Sequence, residues 1–530
     1  VSDREPDPQW GQDRRSFASR TPVDNNPDKV AYRRGFVTGH QVSGWRFVMR
    51  RIAAGVALHD TRMLVEPLRT QTRAVLMGVL VLITGLVGCF VFTLIRPNTS
   101  AANNAVLADR STAALYVRMG DRLRPVLNLT SARLIVGRPV NPTIVKSSEL
   151  DRFPRGNLIG IPGAPERMVQ NTAKDADWTV CDAASGPAAG VTLIAGPPDS
   201  SGTRAGRLAR HDAVLVDDPT GTWLLWDGKR SRIDLADRAV TGALGFGGDV
   251  PAPRPIAAGL FNAIPEAPAL TVPAIPGAGE PPQFGLPLPA PVGSVVVAHA
   301  LTEKFADAVQ YYAVLSDGLQ PISPVLAALL RNANSYGFDQ PPRLGADQVA
   351  RAPVSRALDT SRYPDRRISL VEAARNPVIC AFWSKPAGSA TSSLALLSGS
   401  ALPVPDRIRP EELVGAGTGG VATRVAVEPG TGYFVQTVGQ DATSPAAGSL
   451  FWIADTGVRY GIDTEDRASA GRSKTVEALG LNLPPTPIPW SMLALFAPGP
   501  TLSRADALLA HDGLAPDTRP GRATSALESR

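Results

Sequence analysis

Histidine and cysteine are scarce in this chain, with five and three in 530 residues. The histidines, His40, His59, His211, His299 and His511, are dispersed, and none has a second histidine or a cysteine at metal-ligand spacing. No metal site is visible. A G-x-x-x-x-G-K-[ST] phosphate loop is also missing: Gly228-Lys229-Arg230 lacks both the earlier glycine and the hydroxyl residue after the lysine. No G-x-S-x-G nucleophile elbow occurs. A G-x-G-x-x-G match at Gly415, Gly417 and Gly420 runs into the strand-like VATRVAV, whereas a dinucleotide site needs a helix whose N-terminus meets the pyrophosphate. The sequence therefore names no catalytic residue and no cofactor. Charge is sparse too, at 19% against roughly 25% for an average domain. A net charge of +6 over this length gives no reason to expect nucleic acid as a partner.

What stands out is apolar. From Ala74 to Ile95 the chain reads AVLMGVLVLITGLVGCFVFTLI, without a charge. As a helix at about 1.5 Å per residue this covers about 33 Å, enough for a bilayer core of about 30 Å. The run lies too far from the start, and is too long, for a cleaved signal peptide, which predicts an uncleaved signal anchor and a single-pass protein. Arginines at 62, 69 and 73 precede the span and those at 96 and 110 follow it, which puts the N-terminus in the cytoplasm and the large C-terminal domain outside, in the periplasm.

Residues 1–37 mix Asp, Arg, Pro and Asn with few apolar side chains and read as a flexible cytoplasmic leader. Over 38–73 the apolar residues Val42, Trp45, Val48 or Met49, Ile52 and Val56 recur at helical spacing, with Arg46, Arg50 and Arg51 between them. Such an amphipathic helix fits either anionic lipid head groups or a partner protein. Trp45 and Phe47 are large anchors and favour a protein, with Trp45, Val48, Ile52 and Val56 as the binding stripe. Pro67 breaks or kinks that helix before the span over 74–95.

The remainder, 96–530, carries a weak internal repeat. ALYVRMGDRLRPV (114–126), TWLLWDGKRSRI (222–233), YYAVLSDGLQPI (311–322) and LFWIADTGVRYGI (450–462) each place a turn at Gly120, Gly228, Gly318 or Gly457 between two apolar strands. A helical stretch follows each hairpin, giving units near 106–138, 211–246, 306–334 and 448–482. Segments 140–220 and 340–445 hold short β-type runs (GVTLIAG, DAVLVDD, LALLSGS, GYFVQTV) that predict a central β-rich domain, drawn from 140–210 and 340–445 between the units. The 12 prolines of residues 251–291 exclude a long helix and predict a partly ordered extended strap. From 483 to 530 an extended tail is expected, with Ser503 and Asp506 capping a last short helix.

Cys89 lies in the span, so Cys181 and Cys380 are the two cysteines of the exported domain. An even pair there suggests a disulfide, the alternative being two buried free thiols.

Several long phrases resemble a known family. GHQVSGWRFVMRRIAAGVALHDTRMLVEPLRTQTRA leads into the span and LADRSTAALYVRMGDRLRPVLNLTSARLIVGRP follows it. PRGNLIGIPGAPERM (154–168), WTVCD (178–182) and PWSMLALFAPGPTLSRADAL (489–508) come later in the same order. Together they look like the EccB family of mycobacterial type VII (ESX) secretion systems, and most like the paralogue serving iron and zinc acquisition. The resemblance implies an α+β fold of four strand-turn-strand-helix repeats around a central β-rich domain, with a comparable disulfide. It implies a structural subunit of the inner-membrane core complex, with EccC (the motor ATPase), EccD, EccE and the mycosin protease MycP as partners, and self-association of the exported domain. Members have been labelled ATPases, for which this chain shows no phosphate loop. The central domain has been likened to a phage lysin's wall-binding subunit, which leaves cell-wall binding as a further expectation.

Overall fold

A computed structural model describes residues 38–59, 67–95, 104–247, 250–299, 309–417, 420–464 and 473–513. The expected leader (1–37), the junction 60–66, the start of the third unit (300–308) and the last residues (514–530) lie outside the described residues. The chain divides into two units, Val1–Asn98 and Thr99–Arg530.

In the first unit, α1 (Gly39–Leu58) is followed by α2 (Pro67–Ile95). Gln41 turns back onto the Thr38 amide at 3.0 Å, closing the first turn of α1. His59, at φ +56, donates its amide to the Gly55 carbonyl and ends the helix. The amphipathic segment thus stops at Leu58 rather than running on to 73. Pro67 opens the second helix instead of breaking the first, as suits a residue whose missing amide would have no partner at a first helical position. The window from Gln71 to Phe92 is long and apolar enough to cross a membrane, and none of it is buried.

The second unit holds five sheets among the described residues. Four of them are built alike. Val106–Asp109, Leu115–Met119 and Arg122–Val126 form an antiparallel meander; the chain then makes the helix Leu129–Val136 and returns as Thr143–Val145, parallel to the first strand. The second sheet repeats this with Asp212–Asp218, Gly221–Trp226, Lys229–Ile233, the helix Arg238–Leu244 and Arg254–Pro255. The third uses Val295–His299, Val309–Val314, Leu319–Ile322, the helix Pro324–Ala333 and Arg343–Leu344. The fourth uses Tyr433–Val438, Leu450–Ile453, Val458–Gly461, the helix Lys474–Leu479 and Thr486–Pro489. In each, a further segment lies parallel to the third strand: Arg155 and Ile159, Glu266–Leu270, Val354, and Ala497–Pro498. A helical crossover is what lets the returning strand run parallel.

The helices start where side chains can accept their free amides. Asn128 accepts from Ser131, Asp237 from Ala239 and Val240, and Ser323 from Leu326. Their apolar faces then pair the sheets two by two. Val117, Leu134 and Ile135 share a core with Trp452, Val476 and Leu479, joining the first and fourth sheets. Leu224, Trp226, Val240 and Leu244 share another with Ala313, Leu326 and Leu330, joining the second and third.

The fifth sheet has seven strands, in the order Glu411–Glu412, Arg424–Ala426, Gly190–Ala195, Ala176–Ala183, Val378–Lys385, Ser393–Gly399, Gly206–Arg207. One face, with Trp178, Val180, Ala381 and Trp383, packs on Val214, Trp223 and Leu225 of the second sheet and on Tyr433, Val435 and Ile488 of the fourth. Trp178 sits edge-on to Tyr433 at 5.1 Å and donates its ring N–H to the Pro487 carbonyl at 2.9 Å.

Several expectations change. Asp212–Asp218 (DAVLVDD) and Tyr433–Val438 (GYFVQTV) are first strands of the second and fourth sheets, not parts of a central domain. Thr143–Val145, Arg343–Leu344 and Ser369–Leu370 likewise pair with other sheets, so the central sheet draws only on 176–207 and 378–426. Periodicity shows which face of a strand is buried; it carries no information on which strand lies beside it. Residues 251–291 form two strands and the helix Ala258–Ala263, with Leu260, Ile264 and Leu270 buried, in place of a partly ordered strap. The six-residue helix fits between Pro255 and Pro265. The segment from 483 is no tail up to 513: it supplies Thr486–Pro489, the helix Trp490–Leu493 and the helix Arg504–Ala507, which Ser503 caps by accepting from Asp506.

The four turn glycines serve different ends. Asp227 and Gly228 both have positive φ (+44 and +73), the requirement of a two-residue type I′ hairpin, and a Cβ at 228 would overlap the Leu394 carbonyl. Gly120 and Gly457 are also left-handed. Gly318 is not; there the Pro353 carbonyl occupies the place a Cβ would need.

Candidate functional site

Helix α1 presents the most exposed apolar surface outside α2. Trp45 is 65% exposed, Val48 51%, Ile52 56% and Val56 75%, and Val42 and Met49 lie along the same stripe. At 100° per residue these side chains span one arc, while Arg46, Arg50 and Arg51 fall outside it. The segment 38–59 holds no acidic residue. A stripe this wide and this exposed can bury apolar area only against something other than the described residues.

In the second unit the sulfurs of Cys181 and Cys380 are bonded, on directly opposed residues of neighbouring antiparallel strands. Both residues are fully buried on the face of the seven-stranded sheet opposite Trp178. The bond closes a sequence separation of 199 residues, the stretch that contains the whole of the second and third sheets.

Next to Cys181, the composition of the strand hid a charged contact. Asp182 is paired with Arg254 at 3.2 Å, their side chains 8% and 5% exposed. The same carboxylate oxygen accepts the Ala257 amide at 3.1 Å, and Arg254 also donates to the Pro377 carbonyl at 2.9 Å. Burial holds the guanidinium below its ordinary range, and Asp182 acts in the opposite direction. A second arginine, Arg230, donates to the carbonyls of Phe261 and Ile264 and to Glu266, and lies over the Phe261 ring at 4.1 Å. A lone carboxylate in the otherwise apolar run WTVCDA was the available signal for the first of these, since a buried charge needs a partner.

Two open clefts carry polar linings. One, of about 510 Å³, lies beside the edge strand Gly206–Arg207 and is lined by Arg204, Arg207, Asp212, Arg375, Ser398 and Ser400 among others. The other, of about 520 Å³, includes Thr222, Arg232, Asp234 and Thr271. Each has one carboxylate in its lining, whereas glycoside hydrolysis needs two across the bond. Among the described residues no three His, Cys, Asp or Glu side chains gather as a metal site. Gly415, Gly417 and Gly420 all have positive φ and lead into the strand Arg424–Ala426. His511 reaches the Gly160 carbonyl and Asp512 accepts the Leu158 amide at 3.0 Å, which holds residues 511–512 beside the first sheet.

Residues 34–516 match the family model described as "Type VII secretion system ESX-1, transport TM domain B". A protein of Mycobacterium tuberculosis named "ESX-3 secretion system ATPase EccB3" is 70% identical over 535 residues, covering 99% of both chains. Among solved structures, the "EccB3 dimer from the ESX-3 core complex" is similar at a TM-score of 0.68 and 63% identity, over 77% of this chain and all of that one. The "periplasmic assembly from the ESX-5 inner membrane complex" matches at 0.66 and 38% identity, over 80% of this chain and all of that one.

Proposed function

The chain belongs to the EccB family of type VII secretion systems, and from that premise we propose that it is a structural subunit of an ESX inner-membrane core complex, supporting protein export across the envelope. The observation that carries this is the likeness, over most of the chain, to proteins solved inside such complexes. The identity to ESX-3 members favours the system tied to iron and zinc acquisition.

On this reading α2 crosses the membrane once, residues before it lie in the cytoplasm, and residues 96–530 stand in the periplasm. The four similar sheets, each with its helix, are four repeats, and the seven-stranded sheet is the central domain they surround. EccC, EccD and EccE are the membrane partners, MycP meets the outer side, and the exported domain pairs with a second copy. Trp45, Val48, Ile52 and Val56 dock onto one of the membrane subunits; no described residue covers them. The subunit's role is to tie a cytoplasmic surface, a span and a large rigid outer domain into one chain.

Purification of the full chain in mild detergent, with mass spectrometric identification of co-purifying membrane proteins, tests the reading. Recovery of the other core subunits supports it; recovery of the chain alone under conditions that keep the rest of the complex together refutes it. Protease added to spheroplasts should digest the outer domain and spare an N-terminal epitope. The name of the ESX-3 relative favours a second reading, ATP hydrolysis. It requires turnover by the purified chain free of EccC, and that turnover should survive deletion of residues 1–73.

A further inference from the structure

The buried disulfide has a cover that is not part of the sheet. Beyond Gly399 the chain runs irregularly through residues 400–410 before the short strand at Glu411. It lays Val404 and Ile408, both buried, over Cys181, Cys380 and Leu397. Few regular backbone bonds hold this segment. The Asp199 amide donates to the Pro403 carbonyl at 3.0 Å, the Ala205 amide to Ala401 at 2.9 Å, and Ser400 and Ala401 donate to Thr203. All three anchors lie in the loop 199–205. Arg204 reaches across the same gap: one arm of its guanidinium binds Asp199 at 2.7 Å and Ser201 at 2.8 Å, and the other binds Asp406 on the cover. Two prolines, Pro403 and Pro405, stiffen the covering segment, so that it moves more readily as a piece than by local fraying.

We propose that residues 400–410 form a lid over the Cys181–Cys380 disulfide and that Arg204 is its latch, so that lid opening, rather than global unfolding, sets the rate at which thiols reach the bond. Segments held by a few exposed bonds open at lower free energy than the core strands they cover. With the lid raised, a dithiol reagent attacks one cysteine sulfur as its thiolate. The S–S bond breaks, and the second reagent thiol resolves the mixed disulfide. Cys181 and Cys380 leave as thiols, taking up the two protons, and the reagent leaves as its cyclic disulfide. The eight-residue pairing of Ala176–Ala183 with Val378–Lys385 keeps the sheet in register meanwhile.

The test uses the full chain in detergent, with Cys89→Ser so that only these two sulfurs report. Reduction by dithiothreitol under native conditions is followed by maleimide-polyethylene-glycol gel shift. Arg204→Ala should speed reduction about fivefold or more, and Asp406→Asn, whose side chain is 90% exposed and bears no packing, should do so to a smaller degree. Arg407→Ala, which loses only a loose 3.9 Å pair to Glu428, should leave the rate unchanged. Hydrogen exchange should show faster exchange at Asp199 and Ala205 with no change at Ile379 or Ala381. Equal rates in the parent, Arg204→Ala and Asp406→Asn overturn the proposal. So does acceleration accompanied by lost protection throughout the central strands, which would mean unfolding in place of lid opening.

Discussion

Replacing Asp182 by Ala should be among the most damaging single changes in the second unit, although it removes only one carboxylate. The wild-type pair is almost wholly out of water, and each partner has a further bond: Asp182 to the Ala257 amide, Arg254 to the Pro377 carbonyl. Asp182→Ala leaves Arg254 charged, buried and held by carbonyls alone, and strands the Ala257 amide at the start of the helix Ala258–Ala263. Breaking a buried pair in this way costs about 3–5 kcal/mol. Adding Arg254→Met removes the orphan charge and keeps the bulk, and should return the double variant to within about 2 kcal/mol of wild type. The double variant is then about 1–3 kcal/mol more stable than Asp182→Ala alone, and the coupling exceeds that difference by the cost of Arg254→Met alone, which leaves the Asp182 carboxylate unpaired. Urea unfolding of the full chain in detergent, read by the fluorescence of buried Trp178, Trp223, Trp383 and Trp452, measures all four corners of the cycle. A cost below about 1 kcal/mol for Asp182→Ala, or a double variant no better than the single, would show that water or relaxation satisfies Arg254 and would refute the reasoning.

Trp45→Ala with Ile52→Ala removes two successive anchors of the exposed stripe; since strong interface aromatics are worth about 2 kcal/mol or more, native gels of solubilised membranes should show the chain dropping out of the complex while the second unit stays folded. Normal assembly and secretion in that variant would exclude the stripe as an interface. Cys181→Ala with Cys380→Ala frees a loop of about 200 residues and should lower stability by up to about 5 kcal/mol on chain entropy, with the full value reached only if the second and third sheets unfold along with the rest; equal denaturation midpoints for the oxidised and Ala variants would refute it. Tyr433, buried against Trp178 and near Glu428 and Asp177, has its phenol pushed up to about 12. Its folded pKa lies above the unfolded value of about 10, so the folded chain holds this proton longer; the stabilisation is present below pH of about 10 and is lost as pH rises towards 12, a slope that Tyr433→Phe should flatten in alkaline unfolding curves.

The parts of this architecture that could be read beforehand are those set by neighbours in sequence. Hairpins at Gly120, Gly228 and Gly457 depend on residues close by in the chain, and so do the helices that follow them, opened by Asn128, Asp237 and Ser473. The apolar span depends on composition alone. What stayed hidden is long-range. Tyr433–Val438 and Gly190–Ala195 have similar alternation, yet one begins the fourth sheet and the other lies inside the seven-stranded one. The strands that complete each unit are two to four residues long and, like Arg254–Pro255 and Arg343–Leu344, have little pattern to detect. Gly318 was legible as a turn residue, but the reason it must be glycine was not, because the Pro353 carbonyl that excludes a side chain comes from 35 positions away in the chain.

The order of pairing explains why the disulfide sits where it does. Chain order runs first sheet, centre, second, third, centre, fourth, and the shared cores join first with fourth and second with third. The second and third sheets are therefore inserted between Gly206–Arg207 and Val378–Lys385 of the centre, within the stretch bracketed by Cys181 and Cys380, which face each other on the paired strands Ala176–Ala183 and Val378–Lys385. Had the bond joined residues close in sequence, it would have restricted little of the unfolded chain; placed at the root of the insertion, it closes a loop of 199 residues that holds the second and third sheets whole. The Asp182–Arg254 pair, one residue from Cys181, fastens the return of the second sheet to the same root. Loss of either fastening should then weaken the same boundary, and combining Asp182→Ala with the two cysteine substitutions should cost less than the sum of their separate effects, because once the root has parted the second fastening has nothing left to hold.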